Sequence, residues 1–324
     1  MSETLVLYQY FERDSVYRDN FAHFMAFGYR KDLDFLVILS GNHSIDLPQA
    51  PNIKYVSAPN RNYDYGAYSV ALTSGLKLDN YKHVIFINSS VRGPYLPPLA
   101  QNQSWADYFI EGLTEDVALF GSTICILDKT YKHATLFRKR HPGYPSVTHV
   151  QTAAYAMTVE TVKFLIGLGF YDNKLQLNRS KTITDYEILL SQTLLQAGKN
   201  ISCLIPEYRD IDYRKTHSDF NPWSGNGDIL HRDALLGRTV HPYETIFAKA
   251  NRIMYPARFL DSLTFSLASA GQVNNAKSFQ IVDEYLARIN QLKKTYSVHL
   301  KEVNNRKRLT RRIARKVLRI LRLS

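Results

Sequence analysis

The sequence predicts an α/β protein: an open, mostly parallel sheet with flanking helices, followed by a basic helical extension at the C-terminal end. Three observations carry that expectation. Strand-like and helix-like patterns alternate with short polar links through the first half of the chain, the strand candidates are short apolar runs, and the excess positive charge is concentrated in the last two dozen residues.

Residues 5–10 read as a first strand, 16–27 as a helix, 33–39 as a buried strand and 53–56 as a short strand. A helix over about 66–76 then leads into a compact apolar strand at 83–87. In open sheets of this kind the ligand lies beyond the carboxyl ends of the strands, so the residues just after each strand are the ones to inspect. Beyond Arg92 the stretch 93–98 is a rigid Gly-Pro loop, 105–112 a short helix, 117–120 a strand, and 127–145 a polar, basic and aromatic excursion from the sheet. The run 150–158 returns as a strand and 159–168 as a helix. A second strong helix over 184–197 is closed by Gly198, and 201–205 completes the core.

Composition narrows the function classes. The chain has 324 residues, 45% of them hydrophobic and 12% aromatic, which suits one globular catalytic unit with appendages. No stretch approaches the roughly eighteen uninterrupted apolar residues of a membrane span. The N-terminal residues lack the basic flank of a signal peptide, so a cytoplasmic location is expected. Cys125 and Cys203 each sit in an apolar run and read as buried free thiols. The net charge is +12, and residues 301–324 hold +9 of it, ten Lys or Arg against Glu302 alone. A nearly neutral body with one basic end argues against a nucleic-acid enzyme, whose charge would also line a working groove. A dehydrogenase would show a glycine-rich turn after its first strand and a P-loop enzyme a Gly-Lys-Ser/Thr, and the sequence has neither.

Two clusters follow strands. Asn60, Arg61, Asp64 and Gly66 open a helix after the 53–56 strand: the helix start favours anions, Arg61 suits a phosphate, and Asp64 suits a base or ribose. Capping by Asp64 and a turn at Gly66 explain the same residues equally simply. Asn88, Ser90 and Arg92 end the 83–87 strand. Either Asn and Ser satisfy a turn there, or they lie where a ligand meets the sheet.

The succession from Asn60 to Ala67, then Phe86 to Pro94, His149-Val150-Gln151-Thr152, Asp185-Tyr186-Glu187 and His241-Pro242-Tyr243-Glu244 resembles bacterial glycosyltransferases of O-antigen and capsule assembly. It is similar to those related to the rhamnan-synthesis F group and to O-antigen galactofuranosyltransferases, over roughly residues 5–252. The resemblance implies a GT-A-like catalytic fold over residues 1–255 and a nucleotide-sugar donor, with UDP-galactofuranose the first to try and a rhamnose or other hexose donor as rival. It also implies a lipid-linked oligosaccharide acceptor and a place for Gln151 in the diphosphate or acceptor region. GT-A enzymes commonly end the strand at 83–87 with two aspartates spaced by one residue, which bind a divalent cation; here the positions are Asn88 and Ser90. Neutral oxygens hold a hard cation weakly, which leaves two alternatives. Mn2+ or Mg2+ is held by Asn88, Ser90 and His241, or the site is metal-independent and Arg92 with other basic residues counters the diphosphate.

An inverting transferase needs a carboxylate to take the acceptor proton, and Asp185 or Glu187 is placed for it, with Asp185 favoured by the resemblance. Acidic residues that merely complement a helix end fit the same pattern. Late in the chain His241, Lys249 and Arg252 suit the departing diphosphate, although a short amphipathic helix with Ile246 and Phe247 inward explains the segment too. Trp223, in a Gly- and Asn-rich loop over 221–228, suits stacking on a sugar ring or an ordinary surface turn.

The last segment divides into a helical extension over 256–305, with a break at Asn304-Asn305, and a basic amphipathic helix over 306–324. Leu309, Ile313, Val317, Ile320 and Leu321 recur at helical spacing among arginines, the profile of a helix lying in an anionic membrane surface. A nucleic-acid arm and a dimerising helix pair are the competing readings; the apolar stripe disfavours the first and the charge the second. The expected protein is thus a transferase peripheral to the inner face of the cell membrane. A different nucleotide-dependent enzyme and a non-catalytic nucleotide-binding scaffold are the alternatives.

Overall fold

Most of the apolar runs become strands of one seven-stranded sheet in a computed structural model of the chain. It describes residues 2–97, 100, 103–172, 177–256, 258–271 and 279–321, without the side chains of 299, 300, 305 and 312–321. β1 (Thr4–Tyr10), α1 (Ser15–Phe27), β2 (Asp34–Ser40), β3 (Ile53–Ala58), α2 (Tyr63–Thr73) and β4 (His83–Asn88) follow one another in the expected order. All seven residues of β1 are buried, as a strand covered by helices on both faces must be. Then come β5 (Val91–Arg92), the single turn α3 (Asp107–Ile110), β6 (Val117–Gly121), β7 (Ile124–Cys125) and α4 (Lys132–Arg140), the last lying within the excursion 127–145. β8 (His149–Val150), β9 (Ala154–Thr158), α5 (Val159–Gly167), α6 (Arg179–Thr182), α7 (Leu189–Gln196) and β10 (Asn200–Cys203) complete the core. α8 (Pro206–Arg209), α9 (Pro242–Thr245), β11 (Ala248–Lys249), α10 (Phe259–Ser269) and α11 (Gln280–Leu321) close the chain.

The seven-stranded sheet has the order β10-β6-β9-β4-β1-β2-β3, with every pair parallel except those made by β9, which runs antiparallel to both β4 and β6. The chain winds outward from β1 through β2 to β3, then returns to place β4 on the other side of β1. Strand order therefore reverses between β1 and β4, and that reversal opens the crevice in which doubly wound sheets hold ligands. Two short antiparallel pairs, β11 with β5 and β7 with β8, sit outside the main sheet.

Three expectations need correction. The run 150–158 is not one strand: Gln151 to Ala153 turn away, with the Gln151 amide donating to Thr123 O and the Ala153 amide to Gln151 O, so β8 and β9 belong to different sheets. The helix expected over 184–197 starts earlier and is not uniformly α, because Ile183–Ile188 form a π-helical segment between α6 and α7. The break at Asn304-Asn305 is absent, since α11 runs through both asparagines for 42 residues. An Asn inside a helix costs only a fraction of a kcal/mol, and good helix formers flank the pair.

The first turns of α11 are part of the core: Ile281, Val282, Tyr285 and Ile289 are buried with residues of α1 and α10, and Arg288 pairs with Asp19 at 2.5 Å. Farther on, Val298 and Leu309 are exposed. The side chains of Ile313, Val317, Ile320 and Leu321 lie outside the described residues, as do residues 322–324 entirely. Among the described residues no helix is long and apolar enough to cross a membrane. Both cysteines are buried and free, and burial pushes the Cys203 thiol up to about 12.

Candidate functional site

The ends of β1 and β4 are tied together by Ser89, whose hydroxyl accepts from the Phe11 amide at 3.0 Å, and by the Ser89 amide, which donates to Gln9 O at 2.9 Å. Next to this junction polar side chains from six separate parts of the chain converge. Asn88 Nδ2 donates to Asp64 Oδ2 at 3.0 Å and to Thr152 O at 3.3 Å, while Asn88 Oδ1 accepts from the Ser90 hydroxyl. Lys249 Nζ donates to Ser90 Oγ at 2.7 Å. That contact follows from the pairing of β11 with β5, which sets Lys249 opposite Val91. Glu187 Oε1 accepts from the Thr152 amide at 3.4 Å. Beside them Asp228 accepts from Gln151 Nε2 at 2.9 Å and from Arg252 at 2.6 Å.

The local backbone is shaped to deliver these groups. Asn62 and Tyr63 both have left-handed φ, 55° and 58°, and Asn62 Oδ1 accepts from the Leu177 amide at 2.6 Å. Two adjacent non-glycine residues in that region store about 1–3 kcal/mol each, and here they begin the helix whose first turn carries Asp64. Gly227 has φ 82° and lies so close to Ile126 that a Cβ would stand 1.9 Å from its carbonyl oxygen. Only glycine lets the chain pass there and bring Asp228 to Gln151 and Arg252.

Electrostatically the cluster is under tension. Burial, and then the neighbouring Glu187 charge, push the Asp64 carboxyl up to about 6 against the pull of its Asn88 hydrogen bond. Burial and the adjacent Arg252 bring the Lys249 ammonium down to about 8, although Glu187, Asp64 and Asp228 all favour its charge. Asp64, Glu187 and Lys249 are each half-buried rather than sealed in the core. Burial also pushes the Asp228 carboxyl up, but the Arg252 guanidinium and the Gln151 amide more than offset it and hold it below the usual carboxylate range. Desolvated groups of both signs facing one another at a strand-end crevice are the arrangement expected where charge is handled.

No family model matches the sequence, and no curated protein matches it. Among solved structures, the chain is similar to an active-site mutant of LgtC, at 11% identity and a TM-score of 0.29, over 56% of this chain and 69% of that one. It is also similar to a candidate nucleotide-diphospho-sugar transferase from Desulfovibrio desulfuricans, at 13% identity and a TM-score of 0.37, over 65% of this chain and 83% of that one. These are likenesses of chain course, at identities that carry no statement about activity.

Of the residues singled out in the sequence, Asp64, Asn88, Ser90, Glu187 and Lys249 come together, with Gln151 and Arg252 beside them. Others lie elsewhere. Arg92 points away into the core, where Nε donates to Asn20 Oδ1 at 3.0 Å and a guanidinium nitrogen pairs with Asp261 at 3.2 Å, so it fastens α1 to α10 instead of facing the cleft. Asp185, expected as the proton acceptor, is bound by Arg140 through both carboxylate oxygens, by His141 at 3.0 Å and by the Thr184 hydroxyl. Burial raises its carboxyl, but those partners outweigh burial and hold it below the usual range, which suits a structural anchor rather than a base. Two residues apart on the helix, the two acids point to opposite sides: Asp185 to Arg140 at the end of α4, and Glu187 to Thr152. Gly66 is buried within α2, its amide already donating to Asn62 O, so it offers no open N–H to a phosphate. His241 caps α9, accepting from the Tyr243 amide through Nδ1, while Glu244 accepts from the His241 amide.

Trp223 is 64% exposed and lies over Gly237. The loop that carries it is braced and not free, because Asn221 is buried and accepts from the Leu236 amide at 2.9 Å, and the Asp128 amide donates to Asn226 O. Asn60 and Arg61 are exposed on the turn after β3. Sequence reasoning missed Asp228, whose only signal was its place at the end of the Gly- and Asn-rich loop.

The donor set at Asn88 and Ser90 does not fit a divalent cation. Both oxygens are neutral and hydrogen-bonded to one another, and an ammonium already sits on Ser90. His241, the third residue considered for a cation, is committed to its helix cap through Nδ1.

Proposed function

We propose that this protein transfers a glycosyl unit from a nucleoside diphosphate sugar, with the donor lying in the crevice at the carboxyl ends of β1 and β4. The observation that carries this reading is the convergence there of Asp64, Asn88, Ser90, Glu187 and Lys249, which sets hydrogen-bonding groups, a cation and two carboxylates side by side. Asp64 accepts from the nucleoside, with Asn60 and Arg61 at the rim. Asn88, Ser90, Lys249 and Arg252 face the diphosphate. Glu187 takes the proton of the acceptor hydroxyl as its oxygen bonds to the anomeric carbon; the bond from that carbon to the diphosphate breaks, and the nucleoside diphosphate leaves with the electron pair. The configuration at the anomeric carbon inverts.

The acceptor under this reading is a lipid-linked oligosaccharide of surface-polysaccharide assembly, and UDP-galactofuranose is the first donor to try, with rhamnose and other hexose donors as rivals. The basic end of α11 then holds the enzyme against the anionic inner face of the membrane. A thermal-shift panel of nucleotide sugars followed by transfer to a synthetic galactoside tests the proposal. A ligand that binds only the native state raises the melting temperature, and at a concentration a hundredfold above Kd it adds about 2.7 kcal/mol. A panel in which no nucleotide or nucleotide sugar shifts the melting temperature refutes the assignment. Transfer from a non-galactose donor alone overturns the choice of sugar and leaves the reaction class standing.

A further inference from the structure

We infer that Lys249 is the resident counter-cation of the diphosphate, so that the nucleoside diphosphate binds with no divalent metal. The inference rests on the proposed donor site and specifies how its charge is balanced. A diphosphate brought to the strand ends needs a positive charge to meet it. Lys249 Nζ stands 2.7 Å from Ser90 Oγ, directly beside the Asn88 and Ser90 pair. One of its three N–H donors is spent on Ser90, which leaves two for phosphate oxygens. The ammonium is positioned from both sides: the β11–β5 pairing fixes its backbone, with the Ala250 amide donating to Ser90 O at 3.2 Å, and the Ser90 hydroxyl is itself anchored on Asn88. Arg252, held by Asp228 and Leu230 O, adds a second cation near it.

The groups facing this ammonium explain why it is kept under tension. Asp64 comes from α2, Glu187 from the π segment and Asp228 from the braced loop, all favouring its charge, while Arg252 and burial oppose it. Above pH 8 the free side chain is increasingly neutral whereas the bound diphosphate favours the ammonium, so affinity falls as pH rises through about 8 and binding at that pH takes up protons.

Calorimetric titration of UDP, GDP, CDP and dTDP into the full chain, once with EDTA and once with Mn2+, tests this directly. The expected result is equal affinity for the preferred nucleotide in both buffers. Lys249→Met is expected to weaken binding about 10–100-fold, the effect of losing a charge-assisted hydrogen bond, and Lys249→Arg to recover part of it. Binding that requires Mn2+ in the wild-type protein overturns the inference while leaving the donor site intact, as does undiminished binding by a folded Lys249→Met. If that variant does not fold, the comparison of the two buffers still decides. Failure of all four nucleotides in both buffers refutes the donor site itself, and this inference with it.

Discussion

Replacing Glu187 by Gln is expected to slow glycosyl transfer by about 10²–10⁴ while leaving donor affinity nearly unchanged, the scale of a lost general base. The substitution keeps the shape of the side chain and an oxygen that accepts from the Thr152 amide, so the strand-end turn is preserved. What disappears is the basic lone pair and one of the negative charges that face Lys249 and Asp64. Losing that charge lets the Lys249 ammonium fall further and the Asp64 carboxyl relax downward, so donor binding should be compared near pH 7, below the region where Lys249 titrates. Asp185→Asn is the matched control. It breaks the partly exposed pair with Arg140, a loss of roughly 1 kcal/mol of stability, and leaves turnover close to that of the parent. Full activity in Glu187→Gln together with a crippled Asp185→Asn would return the proton to Asp185. Single-turnover rates with saturating donor read the difference without interference from product release.

Deleting residues 306–324 is expected to abolish binding to phosphatidylserine vesicles and leave both fold and donor binding intact. The removed segment carries nine Lys or Arg and no acid, each worth about 1 kcal/mol close to an anionic lipid surface. The stretch of α11 that stabilises the body lies earlier, where Ile281, Val282, Tyr285 and Ile289 are buried and Tyr296 reaches Asp261 at 3.2 Å, so the cut falls in exposed helix. Co-sedimentation measures the loss. The intact chain should release from vesicles as salt rises, since the Debye length falls from about 8 Å at physiological ionic strength to about 3 Å at 1 M. Activity on a soluble acceptor should survive truncation, and activity on a membrane-embedded acceptor should fall. Equal sedimentation of the two forms, or unfolding of the shorter one, would make the end of α11 a structural element.

Much of the fold was legible because buried strands announce themselves: the run Leu5-Val6-Leu7-Tyr8 has no amphipathic alternation, and it lies mid-sheet with helices on both faces. An apolar run carries no direction, however, and nothing in Ala154 to Thr158 reveals that it lies antiparallel between β4 and β6. The site divides in the same way. Asn88 and Ser90 follow a strand and could be read from position alone. The contact of Lys249 with Ser90 spans 159 residues and depends on a two-residue strand pairing, which no local pattern encodes. Arg92 was misassigned because a basic residue two places after a cleft residue looks equally available. β5 instead turns its side chain to Asn20 and Asp261 in the core. The preference for Asp185 over Glu187 rested on the resemblance, and no local pattern says which of two acids two residues apart on one helix meets Arg140 and which meets Thr152.

The most direct test of the central claim is the affinity of the preferred nucleoside diphosphate for the wild-type protein and for Asp64→Ala, measured by calorimetry at pH 7 with the fold of each checked by its melting temperature. The substitution removes a desolvated charge beside Glu187 and at the same time takes an acceptor from Asn88, so the two affinities are compared well below both melting temperatures. The folded variant is expected to bind the nucleotide at least about tenfold more weakly, the loss of one good hydrogen bond to a charged group. A folded Asp64→Ala that binds the nucleotide as tightly as the parent would contradict it and move the donor away from the strand ends of β1 and β4.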